Sequence, residues 1–185
     1  MSIPVVITPP SPSLTLSLVK AHLNVDHTDD DTLIQAYIDA ACSHIDGPRG
    51  TLGRAVWAQT LELRLDDFET CIPLPCGPVS AITSVKYIDI DGVEQTLNAA
   101  TYALAVDDLV LAYDEAWPTV RGDTDGVKIR YAAGFSTVPK AIEQALMLLI
   151  AHWYANRETV NVGNITSELP FATRALLSPY FVWFI

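Results

Sequence analysis

Basic residues are scarce in this sequence: eleven lysines and arginines stand against twenty-two aspartates and glutamates, a formal net charge of −11. A protein that grips nucleic acid draws its affinity from cations that release counterions from phosphates. The balance here excludes such a clamp, although not a protein that stands beside DNA without holding it. Charge of either sign is also thin, at 18% of residues against 50% hydrophobic, where an average domain carries about a quarter charged. At 185 residues the chain fits one domain with a real core. Part of its apolar surplus is therefore expected at contacts between subunits, with a well-filled core as the plainer alternative.

Cysteine is nearly missing. Cys42, Cys71 and Cys76 are an odd count with no Cys-x-x-Cys pair, so neither a disulfide framework nor a zinc site is expected. A reducing cytoplasm is the expected place of synthesis. No long hydrophobic run occurs, since the greasiest stretch, 145–150, is far too short to span a bilayer. Residues 1–12 have no basic region followed by an apolar one, so no signal peptide is read there. The expectation is a soluble protein with no membrane partner.

Catalytic constellations are absent as well. Gly134-Phe135-Ser136 lacks the second glycine of a nucleophile elbow, and no phosphate-cradling or dinucleotide glycine motif occurs. His22, His27, His44 and His152 are scattered. Asp66-Asp67 and Asp107-Asp108 read as solvated turns at strand edges, and Arg121-Gly122-Asp123 as a turn rather than an adhesion signal. No catalytic residue, cofactor or metal site is expected.

Turning to what is present, Pro4, Pro9, Pro10 and Pro12 make residues 1–13 an extended arm, because proline removes donors and forbids helix. Thr15 reads as the N-cap of a short helix reaching Leu23. Asp29-Asp30-Asp31 opens a second helix, in which Leu33, Ile34, Tyr37, Ile38, Ala41, Cys42 and Ile45 recur at helical spacing. Capping and the macrodipole favour carboxylates at that start, a better reading than calcium binding, which wants a Gly and a Glu that are missing. Gly47 and Pro48 end the helix.

The period then changes to two. Gln59, Leu61, Leu63 and Leu65 alternate with Thr60, Glu62 and Arg64, the pattern of a half-buried strand. Asp91-Gly92 between two apolar runs is hairpin chemistry. Short strands are expected at 102–106, 109–113 and 127–132. Pro139 opens the last long helix, with Ile142, Ala145, Leu146, Leu149, Ile150 and Trp153 on its inner face. Met147, Leu148 and Tyr154 widen that coverage beyond one stripe, and His152 sits beside Trp153. A helix greasy on most sides must be covered on most sides, so Met147, Leu148, His152 and Tyr154 are expected at an inter-subunit contact.

The expected fold is α+β: a small helical core of about four helices with an inserted antiparallel β unit. The boundaries are an arm at 1–13, helices at 14–55, the β insertion at 56–132 and a long helix at 137–158. A polar loop at 159–168 precedes a short helix and apolar tail at 169–185. That tail ends on Phe181, Val182, Trp183, Phe184 and Ile185. Each aromatic there can bury roughly 150–250 Å², which at about 25 cal/mol per Å² asks for cover. Folding back on its own domain and inserting into another protein are both open at this point.

Several pieces in order carry a family likeness. Residues 16–25 lead to the acidic helix start; Leu52-Gly53-Arg54-Ala55 precedes Gln59-Thr60-Leu61-Glu62-Leu63. Ile72-Pro73-Leu74-Pro75, Pro78-Val79 and Ile82-Thr83-Ser84-Val85 lead into Asp91-Gly92, and Ala116-Trp117-Pro118 follows. The series closes with 127–134, Val138-Pro139, His152-Trp153-Tyr154, Asn156-Arg157-Glu158, Glu168-Leu169-Pro170-Phe171 and Leu176-Leu177-Ser178-Pro179-Tyr180. In their order and spacing these segments resemble the head–tail connector (adaptor) family of long-tailed bacteriophages, prophages and gene transfer agents.

The resemblance implies a non-enzymatic ring subunit, commonly in twelve copies, bound beneath the portal protein in the particle neck. Such a ring extends the channel through which DNA passes without specific binding, and it offers a surface to a stopper or tail protein. It implies further that a C-terminal segment, here 181–185, docks onto the portal. A stopper or tail-completion protein further down the neck is the alternative station. A small hydrolase or ligand-binding domain is the alternative of another class.

Overall fold

The computed structural model describes residues 3–156 and 171–182. Backbone contacts divide the chain into two compact units, one of residues 1–11 and 54–136, the other of residues 12–53 and 137–185. Among the described residues the first is made of strands and the second of helices, an α+β fold with four α-helices and antiparallel sheets.

In the helical unit, α1 (Leu16–Leu23) starts where Thr15 is extended and accepts the Leu18 N–H on its hydroxyl at 3.3 Å. It stops where Asn24 turns left-handed at φ 56°, a conformation asparagine tolerates better than most residues. In α2 (Asp31–Ile45), Ile34, Ile38, Ala41, Cys42 and Ile45 are buried, one stripe at helical period. In α3 (Lys140–Ala155) the buried stripe is Ile142, Ala145, Leu146, Leu149 and Ile150. The short α4 (Phe171–Leu177) buries Thr173 and Leu177 and runs into a 3₁₀ turn at Ser178–Tyr180. Each fully buried Ile or Leu contributes roughly 1.5–3 kcal/mol, which outweighs the modest helix propensity of the β-branched residues in these stripes. Burial and the neighbouring carboxylates of Asp39 and Asp46 push the Cys42 thiol up to about 12, so it behaves as a small apolar side chain.

The β unit holds two sheets. The larger has five antiparallel strands: β1 (Val5–Thr8), β2 (Gln59–Leu65), β4 (Val79–Ile88), β5 (Glu94–Thr96) and β8 (Val127–Ala133). Their order is β1-β2-β8-β4-β5, with β8 in the middle. The smaller sheet pairs β3 (Cys71–Pro73), β7 (Asp108–Leu111) and β6 (Tyr102–Ala105) in that order. Leu61, Leu63, Val85, Val127, Ile129 and Tyr131 line the inner face of the larger sheet, and Ile72 and Leu109 from the smaller sheet pack into the same core. The Tyr131 hydroxyl finds its partner inside that core, donating to the Pro75 carbonyl at 2.7 Å.

Three features differ from the sequence-based expectation. Residues 1–13 are not simply an arm, because Val5–Thr8 pairs with β2 as an edge strand, Val5 opposite Glu62 and Val6 opposite Leu61. The prolines bracket that strand and do not interrupt it, which an edge position allows. Asp107 is not a free solvated turn; its carboxylate accepts the Val79 N–H at 2.7 Å and ties β4 to the β6–β7 turn. Asp66 likewise accepts the Asp125 N–H at 2.9 Å. The Asp91-Gly92 hairpin forms as expected: Gly92 has φ 81°, and Asp89 receives the Asp91 and Val93 N–H groups on its side chain.

The third difference is Glu62. Alternation places it on the outer face of β2, yet it is only 2% exposed. Arg130, directly opposite on β8, donates to it at 2.6 Å, and Arg64, two residues along β2, at 2.9 Å. Next along the same face, Lys86 and Lys128 stand opposite each other, a like-charge pair that destabilises by itself. Glu94 on β5 accepts from both, at 2.8 and 3.0 Å, which holds its carboxyl down at about 2. The outer face is therefore a ladder of carboxylates, each held between two cations.

For Glu62, burial pushes the carboxyl up, but hydrogen bonds and charge from Arg130 and Arg64 outweigh it, and the net shift is downward. A depressed folded value means stability that is fully present above the unfolded glutamate value and lost as pH falls through the folded one. Glu62→Gln is expected to cost about 1–3 kcal/mol at neutral pH, toward the lower end because water reaches both arginines. The gap from the unsubstituted chain should close as pH drops below the ordinary glutamate range. Urea denaturation at a series of pH values checks both; equal stability at pH 7 would show that the pair contributes nothing.

Candidate functional site

The expected inter-subunit face of α3 is occupied in part by the helical unit itself. Met147, Leu148, His152 and Tyr154 are all half-buried. The Tyr154 hydroxyl donates to Asp30 Oδ2 at 2.5 Å, and the Trp153 ring lies 6.2 Å from that of Tyr37 on α2. His152 is engaged through its carbonyl, which accepts from the Asn156 side chain at 2.9 Å. This bears on the acidic start of α2 as well. Asp30 stands at the N-cap position but makes no side-chain capping bond. Asp31 accepts from Lys20, whose ammonium also reaches the His27 carbonyl at 2.6 Å. Tertiary partners, and not the backbone of the helix start, engage these two side chains. Among the described residues no cluster of three His, Cys, Asp or Glu is placed to hold a metal.

The C-terminal segment begins inside the same unit. Phe181 is half-buried, and Val182, 36% exposed, donates its N–H to the Leu52 carbonyl at 3.0 Å. Trp183, Phe184 and Ile185 lie outside the described residues, as do the expected polar loop and Pro170. An open groove elsewhere in the helical unit is lined by Leu16, Ser17, Lys20, Ala21, Val25 and Asp31. Its two charged side chains are paired with one another. In the β unit, Gly134-Phe135-Ser136 is a packing corner: a Cβ on Gly134 would meet the Trp57 carbonyl oxygen at 2.4 Å, and the Arg54 guanidinium sits 5.7 Å from the centre of the Phe135 ring.

Large exposed apolar side chains lie elsewhere than sequence periodicity suggests. They are concentrated at Ile3, Val5, Val6 and Ile7 along β1, and at Ile90 and Val93 in the β4–β5 hairpin. Val106, Tyr113 and Phe171 stand out singly. The β1 residues carried a legible signal, a β-branched run between prolines. What was missing was any local mark of the strand it joins.

The family model described as "Head completion protein" matches residues 14–180. The chain belongs to the head completion protein family. The head–tail connector likeness seen in the ordered motifs is thereby met. No curated protein sequence matches the chain. Among solved structures, a chain from the "neck of empty GTA particle computed with C6 symmetry" is 24% identical, covers 97% of both chains and superposes with a TM-score of 0.72. One from the "virion of native gene transfer agent (GTA) particle" is 24% identical over 99% of this chain and 97% of that one, with a TM-score of 0.76. One from the "neck of native GTA particle computed with C12 symmetry" is 25% identical over 97% of both, with a TM-score of 0.66. Among the described residues of this head completion protein, no helix is long and apolar enough to cross a membrane.

Tyr154 offers a test of how far α3 serves its own unit. Tyr154→Phe removes the donor to Asp30 and is expected to lower the stability of the isolated chain by about 1–2 kcal/mol, read from the midpoint of urea unfolding. An unchanged midpoint would mean that the hydroxyl matters only in an assembly.

Proposed function

We propose that this chain is a structural head–tail adaptor: a subunit of a ring in the neck of a phage-like particle, seated beneath the portal. The observation that carries the reading is the family match across residues 14–180, together with superposition on chains from gene transfer agent necks along nearly the whole length. The ring, in twelve copies on the particle, extends the DNA channel and presents a surface to the next stopper or tail protein. Its work is mechanical and requires no cofactor. The acidic balance suits a wall along which DNA must slide, since like charge discourages adhesion.

Within this reading, the half-buried Met147, Leu148 and His152 on α3, with the ring of Tyr154, complete their cover against a neighbouring subunit. Phe181, Val182, Trp183, Phe184 and Ile185 form the docking tail. Its aromatic surface is large for its length, and repetition around a ring multiplies a weak contact through effective concentration.

Deletion of residues 181–185 is expected to leave the far-ultraviolet circular dichroism of the subunit unchanged and to abolish its co-sedimentation with portal-bearing heads. Undiminished co-sedimentation would refute the tail as the anchor. Binding of the intact chain only after another neck protein has bound would move it to the stopper station.

A further inference from the structure

The five-stranded sheet has two open edges, β1 and β5. Six of the eleven large apolar side chains exposed among the described residues lie on or beside them: Ile3, Val5, Val6 and Ile7 at one edge, Ile90 and Val93 at the other. An apolar edge strand with unpaired N–H and C=O groups invites another strand, and natural proteins usually guard it with charge. The β1 edge has no such guard, because none of residues 3–8 is charged. Within β5 the one charge, Glu94, is turned onto the sheet face and held by Lys86 and Lys128, while Asp89 and Asp91 lie in the adjoining turn, where Asp89 accepts from Val93 and Gln95.

Strand direction selects the occupant. Every neighbouring pair in the order β1-β2-β8-β4-β5 is antiparallel. Four reversals bring β5 back to the direction of β1. A second copy laid edge to edge in the same orientation would therefore set β5 of one subunit parallel to β1 of the next. That alignment puts the apolar leading ends together, Ile90 and Val93 beside Ile3 and Val5, and the trailing ends together, Thr96 beside Thr8. The lengths match too, three residues against four. Antiparallel pairing of β1 with its own copy would instead set valine against threonine, and its twofold symmetry would end the assembly at a dimer.

We infer that adjacent subunits of the ring join head to tail through their β units, the β5 edge of one copy adding to the β1 edge of its neighbour. The inference rests on the ring reading above and assigns it an interface. Main-chain pairing supplies attraction and the flanking apolar residues supply register, as in other strand-addition contacts. Because the contact is heterologous, it propagates around the ring without being used up.

The test is cross-linking in assembled particles. In a Cys71→Ser background, which removes the exposed native thiol while Cys42 and Cys76 stay buried, Val6→Cys and Thr96→Cys are introduced singly and together. A short bismaleimide should convert the doubly substituted chain into a ladder of covalent multimers on a denaturing gel and leave each single variant monomeric. Dimers from Val6→Cys alone would overturn the inference in favour of a twofold β1 contact. No ladder from the double variant, with the chain present in the particles by immunoblot, would overturn the inference and leave the neck assignment standing. Absence of the chain from the particles would overturn both.

Discussion

Strand β8 is the constraint on which the β unit depends. The backbone groups on the facing edges of β2 and β4 have no partners until β8 lies between them, register-matched to β2 from Gln59–Ala133 to Leu65–Val127. Burying unpaired amides is costly, so the sheet cannot close from its N-terminal part alone. The strand that arrives last in the unit also carries Ile129 and Tyr131 into the core and Arg130 onto Glu62. Backbone pairing, apolar burial and the buried carboxylate are therefore completed by one event. Such non-local closure is slow compared with helix formation, which makes the sheet edges exposed during folding a liability the sequence has to manage.

That liability bears on function. The chain is rich in apolar residues, and the structure shows where the surplus is hidden and where it is not. α3 conceals most of its broad apolar circumference within the helical unit, with Trp153 against Tyr37 and Tyr154 tied to Asp30. Among the described residues, the exposed remainder is gathered mainly on the edges of one sheet. A neck protein must be soluble as a free subunit and adhesive in an assembly. Short sheet edges suit both needs, because a contact of three or four residues is weak alone and strong only when repeated.

Much of the fold was legible in the residues. The stripes of α2 and α3, the Thr15 cap, the β2 alternation and the Asp91-Gly92 turn rest on interactions within a few positions of one another, and periodicity reports those. What escaped was long-range. Glu62 reads as an exposed member of an alternating strand because Arg130, its chief partner, is 68 residues away. Asp30 reads as a cap because the hydroxyl that claims it belongs to Tyr154, 124 residues on. Residues 1–13 read as an arm because prolines dominate them and β2, which recruits Val5–Thr8, gives no local sign of doing so. Of the candidate site, the tail was visible as composition. The sheet edges were not, since an edge is defined by the order of strands and no single segment records that order.

Prolines at both ends of β1 fit this picture of restrained adhesion. Pro4 and Pro9 limit the stretch that can pair to Val5–Thr8, and the register irregularity between Val6 and Thr8 shortens the regular part further. Such devices keep an edge from recruiting strands indiscriminately. They do not close it, because four consecutive residues remain exposed and uncharged. An edge blunted in length but left open in chemistry is selective for a short, apolar, correctly oriented partner. The sheet's opposite edge, three residues long and running in the same direction, meets that description in every other copy of the chain.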